Sequence, residues 1–341
     1  MKTIYLFFIL LLVALSGKAE EASSFIEIMK PFDYTRYEGK DSTFVIEANH
    51  KSVDKIVIRQ GDINTTIDVT SEKDTYCKTV ELHPAVNTIF IEAYKDGKLL
   101  SSDKRESYFY NDVLPGVDVY DAEQYDKNYF HSEEEEEKCK SCHDMTNNIP
   151  PEDEPFDDVS ETTCYKCHSG KLNTKSTHAP AANWLCTICH NGKGAEYNID
   201  DEGLTKYLAP DPIAKTCAYC HDTVEGWQAS RYGHGPVNDG RCKRCHNPHG
   251  SDNEFFLRKH IWDLCTTCHT EKAIPGNHIV SGFVFSRNAG AHPTKDRADP
   301  ARPGREFVCT SCHNPHGSTG IYLLRMEGSH PFNVCQRCHK K

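Results

Sequence analysis

Eight copies of Cys-x-x-Cys-His crowd into the 211 residues from His131 to Lys341, and no other feature limits the fold so tightly. The cysteine pairs are Cys139/Cys142, Cys164/Cys167, Cys186/Cys189, Cys217/Cys220, Cys242/Cys245, Cys265/Cys268, Cys309/Cys312 and Cys335/Cys338. The histidines that follow them are His143, His168, His190, His221, His246, His269, His313 and His339. A Cys-x-x-Cys pair alone suits half a zinc site, a redox dithiol or a disulfide. None of these needs His directly after the second Cys. Background composition would place one there in roughly 2–5% of cases, so its presence after every pair is not chance. The spacing suits c-type haem, where two thiols form thioethers with the vinyl groups on one porphyrin edge and the next residue becomes the proximal iron ligand. The cofactors implied are eight covalently attached haem c groups.

At about 26 residues per motif there is too little chain for a layered core. Short helices carrying the motifs, long loops and almost no sheet are expected, with the haems acting as staples. The hydrophobic content of 38% fits, because each porphyrin fills core volume that side chains would otherwise fill.

The motifs fall into four repeats, with first Cys to first Cys spacings of 25, 31, 23 and 26 residues. A His stands eight residues before the first Cys in three repeats: His131, His178 and His234. In the fourth, His292 stands 17 residues before Cys309, with Lys295–Arg305 as an insertion. The last two repeats add His249 and His316 after the first motif, and His260 and His330 five residues before the second. His278 has no repeat counterpart. Nine candidates for eight sixth positions predict two imidazoles on all or nearly all irons; Met145 and Met326 are alternative sixth ligands. Only His131 and His178 lie in the first two repeats, so ligands from later repeats, or from another subunit, must reach their haems. An iron with two imidazoles has no open substrate position. An electron carrier with no catalytic residue is therefore expected, rather than an enzyme.

Residues 20–115 lack the motif and read as all-β. Candidate strands are Phe25–Ile28, Thr43–Ala48, Lys55–Arg59, Ile63–Val69, Lys78–Leu82, Thr88–Tyr94 and Ser107–Tyr110, several with clean apolar–polar alternation. Asp96-Gly97 signals a hairpin turn. Seven short strands suggest an antiparallel sandwich. Within it, Cys77 reads as a buried, inert thiol, with an intermolecular disulfide as the alternative.

Met1–Ala19 reads as a signal peptide: Lys2, an apolar run over Ile4–Leu15, and small residues Gly17 and Ala19 before the cut. An uncleaved anchor is the alternative. The domains expected are therefore 1–19 signal peptide, 20–115 β-sandwich, 116–138 acidic linker and 139–341 haem domain. Residues 131–161 carry 12 acidic and 2 basic residues. Their Glu133–Glu137 run reads as a solvated stretch, or as a docking patch for a basic redox partner or a metal oxide. The basic excess of residues 162–341 balances haem propionates, and with no recognition motif it does not indicate nucleic acid.

Residues 234–269 and 292–339 resemble the doubled Cys-x-x-Cys-His family of multihaem cytochromes c. The resemblance rests on His234-Gly235-Pro236, Cys242 to Ser251 with its Asn247-Pro248-His249-Gly250 run, Leu257 and Cys265 to His269. It implies that His249 and His316 are axial ligands. Thr146 and Lys193 stand at the corresponding positions of the first two repeats. Leu82–Leu100 resembles the late strands of bacterial immunoglobulin-like modules. Together these imply a multidomain chain in which an immunoglobulin-like sandwich leads a haem-packed, mostly irregular, short-helix domain. Its role would be respiratory or extracellular electron transfer, exported to the periplasm or cell surface of a bacterium. Partners would be other cytochromes, an outer-membrane conduit or an extracellular acceptor, with self-assembly into filaments as an alternative. The competing class is a multihaem reductase of the nitrite, hydroxylamine or tetrathionate type with one open haem.

Overall fold

The computed structural model describes residues 25–37, 40–110, 124–127, 131–140, 142–145, 163–190, 207, 209–210, 212–274, 292, 294–325 and 333–339. The expected signal peptide, Met326, His278 and His330 lie outside them. The chain divides into two compact units, one ending at Tyr110 but including Gln124–Asp126, the other holding every motif.

The first unit is all-β. Its strands are β1 (Ile26–Lys30), β2 (Thr35–Tyr37), β3 (Asp41–Ala48), β4 (Lys55–Gln60), β5 (Ile63–Asp68), β6 (Thr75–Glu81), β7 (Ala85–Lys95), β8 (Lys98–Phe109) and β9 (Asp126–Lys127). They form a three-stranded sheet, β1-β3-β6, and a six-stranded sheet, β5-β4-β7-β8-β2-β9. Period-two alternation turns one side of each strand inward. Phe44, Ile46 and Tyr76 of the smaller sheet thus share one core with Ile56, Ile58, Ile89 and Ile91 of the larger. Asp96 and Gly97 join β7 to β8 with φ of 49° and 75°, the left-handed pair that a two-residue hairpin requires.

Three features differ from the sequence reading. Thr35–Tyr37 forms a strand, and it pairs parallel with β8, so the sheet is not purely antiparallel. Its three residues are too few to show a period. Cys77 is exposed, because its neighbour Tyr76 takes the inward position of β6. Glu133–Glu137 opens a helix, Glu133–Cys139, that is capped by Ser132. Carboxylates in the first turn suit the helix N-terminus, and Glu135 and Glu136 are buried.

Tyr76 ties the β6 approach down through its hydroxyl. That oxygen accepts from the Thr70 N–H at 2.8 Å and lies 2.8 Å from the Lys73 carbonyl, to which it can donate. Tyr76→Phe leaves these groups unsatisfied and should cost about 1–3 kcal/mol. Hydrogen exchange across Thr70–Glu81 of the haem-loaded chain should accelerate accordingly; unchanged protection would refute the assignment.

In the second unit the motifs sit at short helical turns: Thr163–His168, Cys186–Cys189, Ala214–Ala218, Cys242–Arg244, Ile261–Cys268, Cys309–Cys312 and Asn333–Gln336. Among its described residues, regular sheet is limited to β10 (Ser176–Thr177) paired with β11 (Gly250–Ser251). That pairing docks the third repeat on the second. The next junction copies it, with Tyr232 and Ser318 exchanging backbone hydrogen bonds of 2.9 Å. Each contact joins the chain just before a leading His to the chain just after a post-motif His. His178 N–H also donates to the His249 carbonyl at 3.0 Å.

Candidate functional site: paired imidazoles beside the cysteine motifs

The imidazoles converge in twos. Ring centres are 6.1 Å apart for His131–His168, 6.2 Å for His178–His221, 6.3 Å for His234–His269 and 5.9 Å for His292–His339. The same holds at 5.8 Å for His190–His249 and 5.9 Å for His246–His316. Every pair joins a motif His to a non-motif His. Two metal–imidazole bonds of about 2 Å, each extended by roughly 1.1 Å from ring nitrogen to ring centre, separate axial imidazole centres by about 6.2 Å. The six observed spacings therefore leave room for one iron each.

Two rules describe the pairs. The leading His of a repeat faces the second motif His of the same repeat in all four cases. The post-motif His of one repeat faces the first motif His of the repeat before it.

Hydrogen bonds orient the rings. Nδ1 of His178 lies 2.9 Å from the Pro248 carbonyl, and Nδ1 of His234 lies 3.0 Å from that of Pro315. Among the motif histidines, Nδ1 of His190, His246 and His313 lies 3.0, 2.8 and 2.7 Å from the carbonyls of Tyr207, Phe255 and Tyr322. A carbonyl only accepts, so each Nδ1 carries the hydrogen and donates, and the lone pair is left on Nε2. His131 places Nδ1 3.1 Å from Glu136 Oε1. Burial pushes His168, His249 and His316 down to about 4, and lowers His190, His234, His246 and His292 as well. These rings are neutral at neutral pH, the state in which imidazole ligates a metal.

The carbonyls of Phe255 and Tyr322 are aimed by an unusual turn. Phe255 and Phe256 have φ of 57° and 55°, and Tyr322 and Leu323 have 56° and 58°. Four non-glycine residues in the left-handed region are costly, and such strain is held only where the surroundings over-determine it. The surroundings repeat: Asn247 N–H donates to Phe256 O at 2.8 Å and Asn314 N–H to Leu323 O at 2.7 Å. Arg258 N–H donates to Cys245 O at 2.9 Å and Arg325 N–H to Cys312 O at 2.8 Å. These carbonyl partners were not read from the sequence. The shared spacing from the motif to Leu257 and to Leu324 was their only signal. Trp227, stacked on His316 at 4.2 Å, was also missed.

Consecutive motifs are neighbours in space. The thiols of Cys164 and Cys186, Cys217 and Cys242, and Cys265 and Cys309 are in hydrogen-bond contact. Burial raises the Cys189, Cys245 and Cys312 thiols, and the nearby sulfurs of Cys220, Cys268 and Cys335 raise them further. No disulfide joins the motif cysteines, so both sulfurs of every motif are left for thioether formation.

Cys167 is exposed, as are the second cysteines Cys142, Cys220, Cys268 and Cys338. Its neighbours in the motif, Cys164 and His168, meet Cys186 and His131. Its part in holding haem rests on its motif position between them.

Three of the nine expected sixth ligands are not in these pairs. His260 Nε2 lies 2.7 Å from Glu306 Oε2 and faces no imidazole among the described residues. His278 and His330 lie outside those residues. His143 is exposed, with no described imidazole opposite it. Met145 is described, and no contact places it opposite a motif ring.

Thiol pairs beside opposed, neutral imidazoles define a protein that holds haem covalently, and the residues present fit that group. The comparisons with known proteins agree. The model of the doubled CXXCH motif family matches residues 234–274 and 300–341. The chain is 28% identical over 171 residues to multiheme cytochrome MtrA of Shewanella baltica, covering 48% of this chain and 44% of that one. It is 25% identical over 211 residues to the C-type polyheme cytochrome OmcB of Geobacter sulfurreducens, covering 49% and 27%. The matches thus span less than half the length of these relatives. A fibronectin(III)-like module of Clostridium thermocellum CbhA covers 25% of this chain at 9% identity, with a TM-score of 0.21 too low to carry an argument. The chain is a multihaem c-type cytochrome.

Proposed function

We propose that this chain is an exported octahaem cytochrome that carries electrons, and that it does not turn over a substrate. The six imidazole pairs carry the reading, because two histidines would hold each iron between them and leave no position for a substrate. When bound, the haems supply one-electron oxidation and reduction at iron with little ligand movement. The protein's part is to fix positions. Cysteines tether each ring edge, Nδ1 bonds hold the imidazoles in register, and ligation across repeats locks neighbours together. The contacts between successive motifs support a path that follows sequence order from Cys164 to Cys338.

Partners on this reading are other redox proteins, such as cytochromes or an outer-membrane conduit, and an extracellular acceptor. The relatives' names as multihaem cytochromes support that kind of partner. The β unit, proposed as immunoglobulin-like, serves as a spacer or docking module. The export proposal rests on Met1–Ala19; among the described residues no helix is long and apolar enough to cross a membrane.

The intact mass of the mature protein tests the haem count. It should exceed the polypeptide by eight haems, with the chain beginning after Ala19. A stable excess of fewer haems would remove at least one motif from the array.

A further inference from the structure

The second pairing rule reaches only two of the four first-motif histidines. His190 takes His249 from the third repeat, and His246 takes His316 from the fourth. By the same rule His143 should take a post-motif His from the second repeat. The register is plain in the sequence: His190-Asn191-Gly192-Lys193-Gly194 aligns with His246-Asn247-Pro248-His249-Gly250, and Lys193, which lies outside the described residues, takes the ligand's place in that register. A lysine side chain titrates at about 10.4, so at neutral pH it is an ammonium with no lone pair to offer. His131, the leading His of the first repeat, is already opposite His168. His260, which no rule assigns, is engaged with Glu306. For His313 the rule would call on a following repeat, and His278 and His330 are the histidines not otherwise assigned.

We infer that the haem carried by Cys139, Cys142 and His143 has an exchangeable sixth position that accepts a small neutral ligand, such as carbon monoxide, nitric oxide or hydroxylamine. Neutral ligands are favoured because residues 131–161 carry 12 acidic against 2 basic residues, a field that repels anions such as nitrite. The inference rests on the carrier reading, since it takes paired imidazoles as the rule and this haem as the departure from it. It places one ligand-binding iron at the end of an otherwise closed array.

The test is carbon monoxide titration of the reduced, haem-loaded full chain, with electron paramagnetic resonance of the oxidised form. One equivalent of carbon monoxide and one high-spin iron per chain are expected. Cys139→Ala/Cys142→Ala should abolish both while the other haems remain. Because that variant removes a whole haem, Lys193→His provides a second check. It restores the missing ligand by register, and should turn the high-spin iron low-spin and end carbon monoxide uptake. A chain with only low-spin irons and no uptake overturns the inference and leaves the carrier reading standing. Uptake that persists in either variant places the open iron elsewhere and also overturns it. Several equivalents of uptake in the parent chain would overturn both.

Discussion

His249→Ala should open one additional iron, converting the His190 haem from two imidazole ligands to one. Carbon monoxide uptake by the reduced protein should rise by one equivalent over the parent, and one low-spin signal should be replaced by a high-spin one. The ring centres of His190 and His249 are 5.8 Å apart and nearly parallel at 6°, and no other described imidazole is paired with His190. The effect crosses a repeat boundary: a substitution in the third repeat alters the first haem of the second. His260→Ala is the matched control. Its Nε2 is held by Glu306 at 2.7 Å, and its loss should add no ligand-binding iron. Equal uptake in the two variants would contradict the pairing.

Gly250→Ala should loosen the same junction without touching a ligand. Gly250 has φ of 148°, a conformation that side chains resist. A Cβ there would meet Thr174 Oγ1 at 2.5 Å and, on the strand it pairs with, the Ser176 carbonyl at 2.6 Å. Backbone strain alone costs about 1–3 kcal/mol, and the overlap with backbone adds to it. The second and third repeats should separate at β10 and β11, so that His249 leaves His190 in a fraction of molecules. Partial high-spin character and carbon monoxide uptake between those of the parent and His249→Ala are expected. Gly226→Ala offers the contrast. Gly226 lies in the helix Thr223–Gln228 with open space around it, so alanine should be neutral or stabilising by about 0.5–1 kcal/mol. If both glycine variants behave alike, the junction does not depend on the close approach at Gly250.

The sequence and the structure agree most where the chemistry is local. A thioether pair followed by an axial His is written in five consecutive residues, so the motifs are legible without a fold. The leading histidines are legible too, because the eight-residue offset before Cys139, Cys186 and Cys242 recurs. Which iron each serves is not. His249 reaches His190 only through backbone pairing between Ser176–Thr177 and Gly250–Ser251, two residues on each side, far too short for any period to announce. The surplus His260 looked equivalent to the others by spacing, and its carboxylate partner Glu306 is 46 residues away. In the β unit the alternating strands were read directly, while the three residues of Thr35–Tyr37 and the outward turn of Cys77 depend on neighbours in the sheet. The five glutamates at Glu133–Glu137 show composition misleading in another way. A run of like charge reads as solvated chain until Ser132 is seen capping it as a helix.

The central claim is that this chain holds its irons between paired histidines. Low-temperature electron paramagnetic resonance of the oxidised, haem-loaded protein tests it most directly. The account predicts low-spin signals for every iron but one, including all six that lie between the described pairs. High-spin signals from several irons would contradict it.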